Sequence, residues 1–352
     1  MEKWEERLYT RCEDHTDLCR PSSVCSSSTQ RKLRMPTRKK AGSAIAAASP
    51  GVLTTEELCL MGPRQLSNHL KFIEESATAA ALPGPAELAD FWRGAAAVYR
   101  QLEVSESGAA DDPGINPLPR SIEVHVAKLM AQPVFRNTFN TVPVAFGMVE
   151  LDKMIVSQYS ITRSVVERLR ARHASLPTPK QLAEICLPIV PRDDDCRLAY
   201  RDEGEFVFVS GAHDMRFLAA TLVDPAGIKG LTVQGHARAV IALSLGFSTN
   251  VLNVVRFGNR VVLNNGHHRA HALRAMGLTH VPCVIQVCAS HEELLQAASS
   301  EICDNSDLYY ESPRPPLLRD FDRPDLACAF ASARLQRQVR VRFKFESRQL
   351  AI

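Results

Sequence analysis

The stretch RVVLNNGHHRAHALRAMGLTHVPCVIQV, residues 260–287, changes its hydrophobic period twice. Val261 to Leu263 has strand character, and Ala270 to Met276 follows with helical spacing around Leu273 and Met276. Gly277 offers the left-handed stop that ends a helix most easily, and His280 to Cys288 is a second β-rich run. Between strand and helix stand Asn264, Asn265, Gly266, His267, His268 and Arg269. The first turn of a helix carries unsatisfied N–H groups and a partial positive charge. Glycine lets a ligand approach the backbone, Arg269 offers a bidentate fork, and His267 and His268 add donors and, when protonated, charge. Asn265 to Arg269 therefore reads as an anion site, most naturally for phosphate. His271, four residues beyond His267, shares its helix face, but no nearby acid completes a metal ligand set. The competing reading has these side chains capping strands and helices and pairing with acids such as Asp214.

Outward from this unit the chain alternates strand and helix, which predicts an α/β (α+β) fold with a mixed sheet. TVPVAFGMVEL and KMIVSQYSI read as strands, TRSVVERLRARHA as a helix, and EFVFVS (205–210) as a strand. NVLNVVRFGNRVVLNNG reads as two strands around a turn at Phe257–Asn259, and Ser290 caps a helix over HEELLQAASSEI. After EFVFVS, the residues His213, Asp214 and Arg216 form a second polar corner, read either as part of the same pocket or as a cap with its ion pair.

The N-terminal part has another texture. Residues 1–53 are low in complexity, basic over Arg31–Lys40, and predict a disordered tail. Cys12, His15, Cys19 and Cys25 match no paired-knuckle zinc spacing. TTEELCLMGPRQLSNHLKFIEESA opens with hydroxyls followed by acids, so 54–106 is expected to be helical, with a second amphipathic helix after Pro85. Residues 107–140 read as a linker and connecting helix, and 141–303 as the core. The prolines of 305–326 predict an extended surface run, with Tyr309, Tyr310 and Arg314 either packed on the core or closing over a pocket. QVRVRFKFESR alternates basic and apolar residues like an edge strand, so 304–352 reads as a Pro-rich arm followed by a basic strand.

The 352 residues are 45% hydrophobic, enough for a sizeable core, and the net charge of +3 does not by itself imply nucleic acid. Ten cysteines without a CxxC pair argue against a disulfide framework. No apolar run is long enough to span a bilayer, and a cytoplasmic protein is the expectation.

The stretch VVLNNGHHRAHALRAMGLTHVPCVI resembles the core of the ParB/sulfiredoxin-like superfamily: a strand, a Gly-x-[Arg/His]-Arg turn, a helix ending near glycine, and a Val-Pro strand. VELDKMIVSQYSI (149–161) is similar to the opening strand of that family. The resemblance is good over about 25 residues, faint over the rest of 141–303, and leaves an insertion around 175–240. His267 stands where sulfiredoxin has its cysteine, so sulfinic acid reduction by that route is not expected. His267 and His268 replace the Glu-Arg of the chromosome-partition ParB turn, and no helix-turn-helix follows. The Gly-His-His-Arg form is closer to the free-serine kinases of the superfamily.

The resemblance implies a nucleotide, with or without Mg2+, or another phosphorylated small molecule at Asn265–Arg269, and phosphoryl transfer or nucleotide hydrolysis if the protein is an enzyme. His267, His268 and Glu150 are then the candidate catalytic residues, with Asp152 a second carboxylate. The alternatives are a nucleic-acid-associated ParB-type regulator that uses the basic tails, and a non-catalytic metabolite-binding module.

Overall fold

The structure is a computed structural model that describes residues 54–76, 84–173, 175–189, 196–202, 204–212, 215–230, 232–247, 249–333 and 336–350. The expected disordered tail, residues 1–53, lies outside the described residues.

The fold is α/β, organised on a six-stranded mixed sheet. Its strands, in spatial order, are β2 (Ile115–Asn116), β3 (Val144–Glu150), β12 (His280–Cys288), β10 (Asn253–Phe257), β11 (Arg260–Asn265) and β4 (Ile155–Val156). β12 runs parallel to β10 and β11 parallel to β4, while the other pairings are antiparallel. Successive residues of β10 and β11 enter opposite cores. Val254, Val261 and Leu263 join Ala270 and Leu273 on one face, and Val255 and Val262 join Leu294, Ile302, Tyr309 and Leu317 on the other. A sheet covered on both faces needs apolar residues at consecutive positions, which is why these strands read as runs rather than alternations.

Helices cover both faces. α7 (His267–Ala275) leads from β11 to β12, and α5 (Arg163–Ala171) and α6 (Pro179–Cys186) lie in the same layer, with α2 (Pro85–Ser105) and α3 (Arg120–Met130) also contributing to that core. α4 (Pro133–Thr138) precedes β3. α8 (His291–Ala297), α9 (Ser300–Asp304) and α10 (Ser306–Tyr310) lie on the other face. Ser290 caps α8 through its hydroxyl, as its position before two acids predicts.

Three departures from the sequence reading matter. Thr54–Leu60 is a strand, β1, not the start of a helix; it pairs antiparallel with β13 (Ala327–Ala333) on one edge and β5 (Ser160–Thr162) on the other. Pairing on both edges and full burial of Cys59, Leu60 and Met61 outweigh the local capping signal. The helix α1 (Leu66–Ser76) begins only after the Gly62–Pro63 break. Second, the 107–140 segment is more than a linker, because it supplies β2 to the main sheet. Third, 305–326 is not an extended surface run. It forms α10 and a 3-10 turn at Leu318–Asp322, and Arg314 is buried, with two hydrogen bonds of 2.7 Å to the Asp320 carboxylate and one of 3.0 Å from its Nε to Glu106.

The insertion expected at 175–240 is only partly separate, since α6 packs into the main core. The rest forms two small sheets. β6 (Cys196–Asp202), β7 (Glu205–Ser210) and β14 (Arg337–Arg342) make one in the order β14-β7-β6, with the basic C-terminal strand at its edge. β8 (Arg216–Val223) and β9 (Val240–Gly246) form a two-stranded ribbon.

Candidate functional site

The strand-to-helix turn forms as expected: β11 ends at Asn265 and α7 begins at His267. Gly266 has φ +103° and no side chain caps the helix. A Cβ at this position would stand 3.1 Å from Leu252 Cγ and 3.2 Å from the Arg269 guanidinium, so packing as well as φ demands glycine.

The polar side chains of the turn have other tasks than the sequence assigned. His267 is buried, and its Nε2 accepts the backbone N–H groups of Gln158 at 3.1 Å and Ser157 at 3.3 Å. Burial, and then the neighbouring His268, hold its pKa down at about 3. A neutral acceptor with that wiring is no cation and no general base for a ligand. His268 Nε2 accepts the Thr162 N–H at 3.0 Å. Together the two histidines satisfy the N–H groups of Ser157 and Gln158, between β4 and β5, and of Thr162, at the end of β5. Arg269 donates through one nitrogen to the carbonyls of Asn250 at 2.6 Å and Ile185 at 3.0 Å, tying the loop before β10 and the end of α6 to α7.

Beside the turn lies a pocket of about 380 Å³, within the range of small-molecule sites. Asn264, Asn265 and His267 form one wall; Ser157, Gln158, Tyr159 and Ser160 a second; Ser299 and Glu301, by α9, a third. The fourth comes from the N-terminal segment: Cys59, Arg64, Asn68, His69 and Phe72. Arg64 is the pocket's cation. Its guanidinium lies 4.1 Å from the Tyr159 ring centroid and pairs with Glu301. Glu301 also accepts the Tyr309 hydroxyl at 3.0 Å and Asn305 Nδ2 at 3.1 Å, and the Tyr159 and Tyr309 hydroxyls meet at 3.2 Å. Tyr309 therefore backs the wall from inside and does not close over it, while Tyr310 donates to the Val255 carbonyl.

Of the predicted site residues, Asn265 and His267 line this pocket, whereas Gly266, His268 and Arg269 are not among its lining residues. Glu150 is elsewhere on β3, where it accepts the Gly114 N–H at 2.9 Å, and Asp152 pairs with Arg274 at 2.7 Å. Neither carboxylate reaches the pocket; Glu301 does. Arg216 begins the exposed β8, and His213 and Asp214 lie outside the described residues. On the basic C-terminal strand, Arg340 and Arg342 both meet Glu205, each at 3.2 Å. Arg64 and His69 were hidden because 54–76 read as one helix. The Gly62–Pro63 break immediately before Arg64 was the available signal.

Among the described residues no cluster of three His, Cys, Asp or Glu side chains is placed to hold a metal, and no helix is long and apolar enough to cross a membrane. Compared with known proteins, the chain matches no family model, no curated protein and no solved structure.

Proposed function

We propose that the chain binds a phosphorylated small molecule, a nucleotide in the first instance, in the pocket between α1, the 157–160 segment, the β11–α7 turn and α9. The observation that carries this reading is the cation Arg64 set among the polar side chains of Asn264, Asn265, Gln158 and Ser299 in one pocket of about 380 Å³. A phosphate has the planar-fork match that makes arginine a preferred partner, and it would take Arg64 over from Glu301. Glu301 then stands beside the ligand as the carboxylate able to accept a proton or to take a magnesium ion carried by the nucleotide. This moves the phosphate contact expected of Arg269 to Arg64, and the base expected of His267, His268 or Glu150 to Glu301. The resemblance to the ParB/sulfiredoxin-like superfamily supports a phosphate ligand beside this turn, with the N-terminal segment as an addition of this chain.

The test is a thermal-shift screen with CTP, ATP, ADP and GTP, each with and without Mg2+. A ligand at about 100 times its Kd adds about 2.7 kcal/mol to the native state, which moves the melting temperature visibly. A shift with one nucleotide that Arg64→Ala abolishes supports the reading. No shift with any of the four removes the nucleotide, and turnover in a coupled phosphate-release assay separates an enzyme from a binding module.

A further inference from the structure

Hydrogen-bond accounting around the pocket points to the kind of molecule it takes. His69 is 3% exposed, sits on α1 and lines the pocket, yet its Nε2 has no hydrogen-bond partner. More than nine in ten buried polar groups are satisfied within a protein or by water, so such an orphan calls for a partner. Its other nitrogen is engaged: Nδ1 lies 3.9 Å from Cys59 Sγ, and the Cys59 thiol is directed to the Leu60 carbonyl at 3.7 Å. Whichever ring nitrogen carries the hydrogen, Nε2 is the one left for a ligand, and a hydroxyl, which both donates and accepts, can meet it. Burial, and then the Arg64 charge, hold the His69 pKa down at about 4, so the ring is neutral at physiological pH. The Nδ1 of His271 is also without a partner, but His271 is not a lining residue.

The neighbours of His69 are polar as well. Asn265 spends its amide NH2 on the carbonyls of Val251 at 3.0 Å and Thr249 at 3.4 Å, and Gln158 spends its own on Ser160 at 2.7 Å. Asn264 donates to Asn253 Oδ1 at 2.9 Å, and the Ser157 hydroxyl donates to the Leu263 carbonyl at 2.7 Å. These side chains leave to a ligand the carbonyl oxygens of Asn265 and Gln158, the Glu301 carboxylate and His69 Nε2, beside the second amide hydrogen of Gln158 and the polar side chains of Asn68, Ser160 and Ser299. Arg64 is the cation of the lining. A ligand complementary to it has one anionic end and a body rich in hydroxyls, which both donate and accept.

We propose that the pocket selects a polyhydroxylated phosphate ester, a sugar phosphate or the sugar-phosphate part of a nucleotide, with His69 Nε2 sharing a hydrogen bond with a ligand hydroxyl while Arg64 holds the phosphate. This rests on the phosphate reading above and adds to it the residue that determines specificity. Binding brings the hydroxyl to a nitrogen otherwise buried without a partner, and an ester lacking hydroxyls leaves that nitrogen unsatisfied.

The experiment is calorimetric titration of the full chain with ribose 5-phosphate and with methyl phosphate, two monoesters of equal charge that differ in their hydroxyls. Wild type should bind ribose 5-phosphate roughly tenfold or more tighter. His69→Phe should remove most of that preference while leaving the methyl phosphate Kd within about twofold. His69→Gln, which keeps an acceptor, should retain part of it and guards against misfolding of the Phe variant. Equal binding of the two esters by wild type overturns the hydroxyl proposal and leaves the phosphate reading standing. So does a preference that survives intact in a folded His69→Phe. Binding of neither ester overturns both.

Discussion

The central sheet and the β8–β9 ribbon are built from similar residues with opposite fates. In β11, Arg260 to Leu263 are all buried, and in β12 every residue from Val281 to Gln286 is buried. In β8, RFLAATLV, seven of eight residues are exposed; Leu222 is 72% exposed, and Ile241, its partner on β9, is 70% exposed. β6 is exposed along its whole length. Apolar composition therefore states that a segment can be a strand, whereas burial depends on whether helices return to cover it. Among the described residues, the main sheet has helical layers on both faces and the small sheets do not. Fold stability, and the geometry of the pocket, should reside in the first region and be almost indifferent to the second.

The pH dependence should separate the two regions most strongly. His267 has a folded pKa of about 3 against an ordinary value of 6.5. The unfolded chain therefore binds a proton that the folded chain refuses, and the stabilisation is complete above pH 6.5 and lost as pH falls toward 3. The shift corresponds to about 5 kcal/mol. Urea midpoints measured from pH 7 to pH 4 should fall steeply for wild type and more gently for His267→Gln. Ile241→Ala, in the exposed ribbon, should keep the wild-type slope. Equal slopes for all three chains would contradict this.

Ion pairs should sort in the same way. Arg314→Met leaves Asp320, itself fully buried, without its bidentate partner and should cost about 3–5 kcal/mol. Arg342→Met, which loses an exposed contact to Glu205, should cost less than about 1 kcal/mol. Comparable losses in chemical denaturation would mean that the side sheet is as integral as the core. Truncation within strands repeats the comparison at smaller scale. Leu263→Ala should cost about 2–5 kcal/mol, and Ile241→Ala should stay within about 0.5 kcal/mol. A large loss at Ile241 would show that its surface is covered in solution.

Much of the central architecture was legible. The runs at 260–265 and 280–288, the helix between them, and the Ser290 cap stand where periodicity and capping chemistry put them. β1 was not legible, because Thr54 to Glu57 carry a helix-start signature that only the partners β5 and β13, distant in sequence, override. The site was legible as a place and not as a set of roles. Asn265 and His267 do line a pocket, but the sequence could not disclose that the backbone amides of Ser157, Gln158 and Thr162 engage both histidines, or that the carbonyls of Asn250 and Ile185 engage Arg269. Those demands come from segments far away in sequence, which no local pattern announces. Nor could it bring Arg64, His69 and Glu301 together from opposite ends of the chain.

The central claim is that the pocket's phosphate-binding cation is Arg64 and not the motif arginine, Arg269. Its most direct test is the dissociation constant of the nucleotide that gives the largest thermal shift, measured by calorimetry on wild type and on Arg64→Ala, with circular dichroism to verify that the variant is folded. Loss of charge-assisted hydrogen bonds to phosphate should weaken binding by roughly tenfold or more. An unchanged constant in a folded Arg64→Ala would contradict the account and return the phosphate to the turn at Gly266–Arg269.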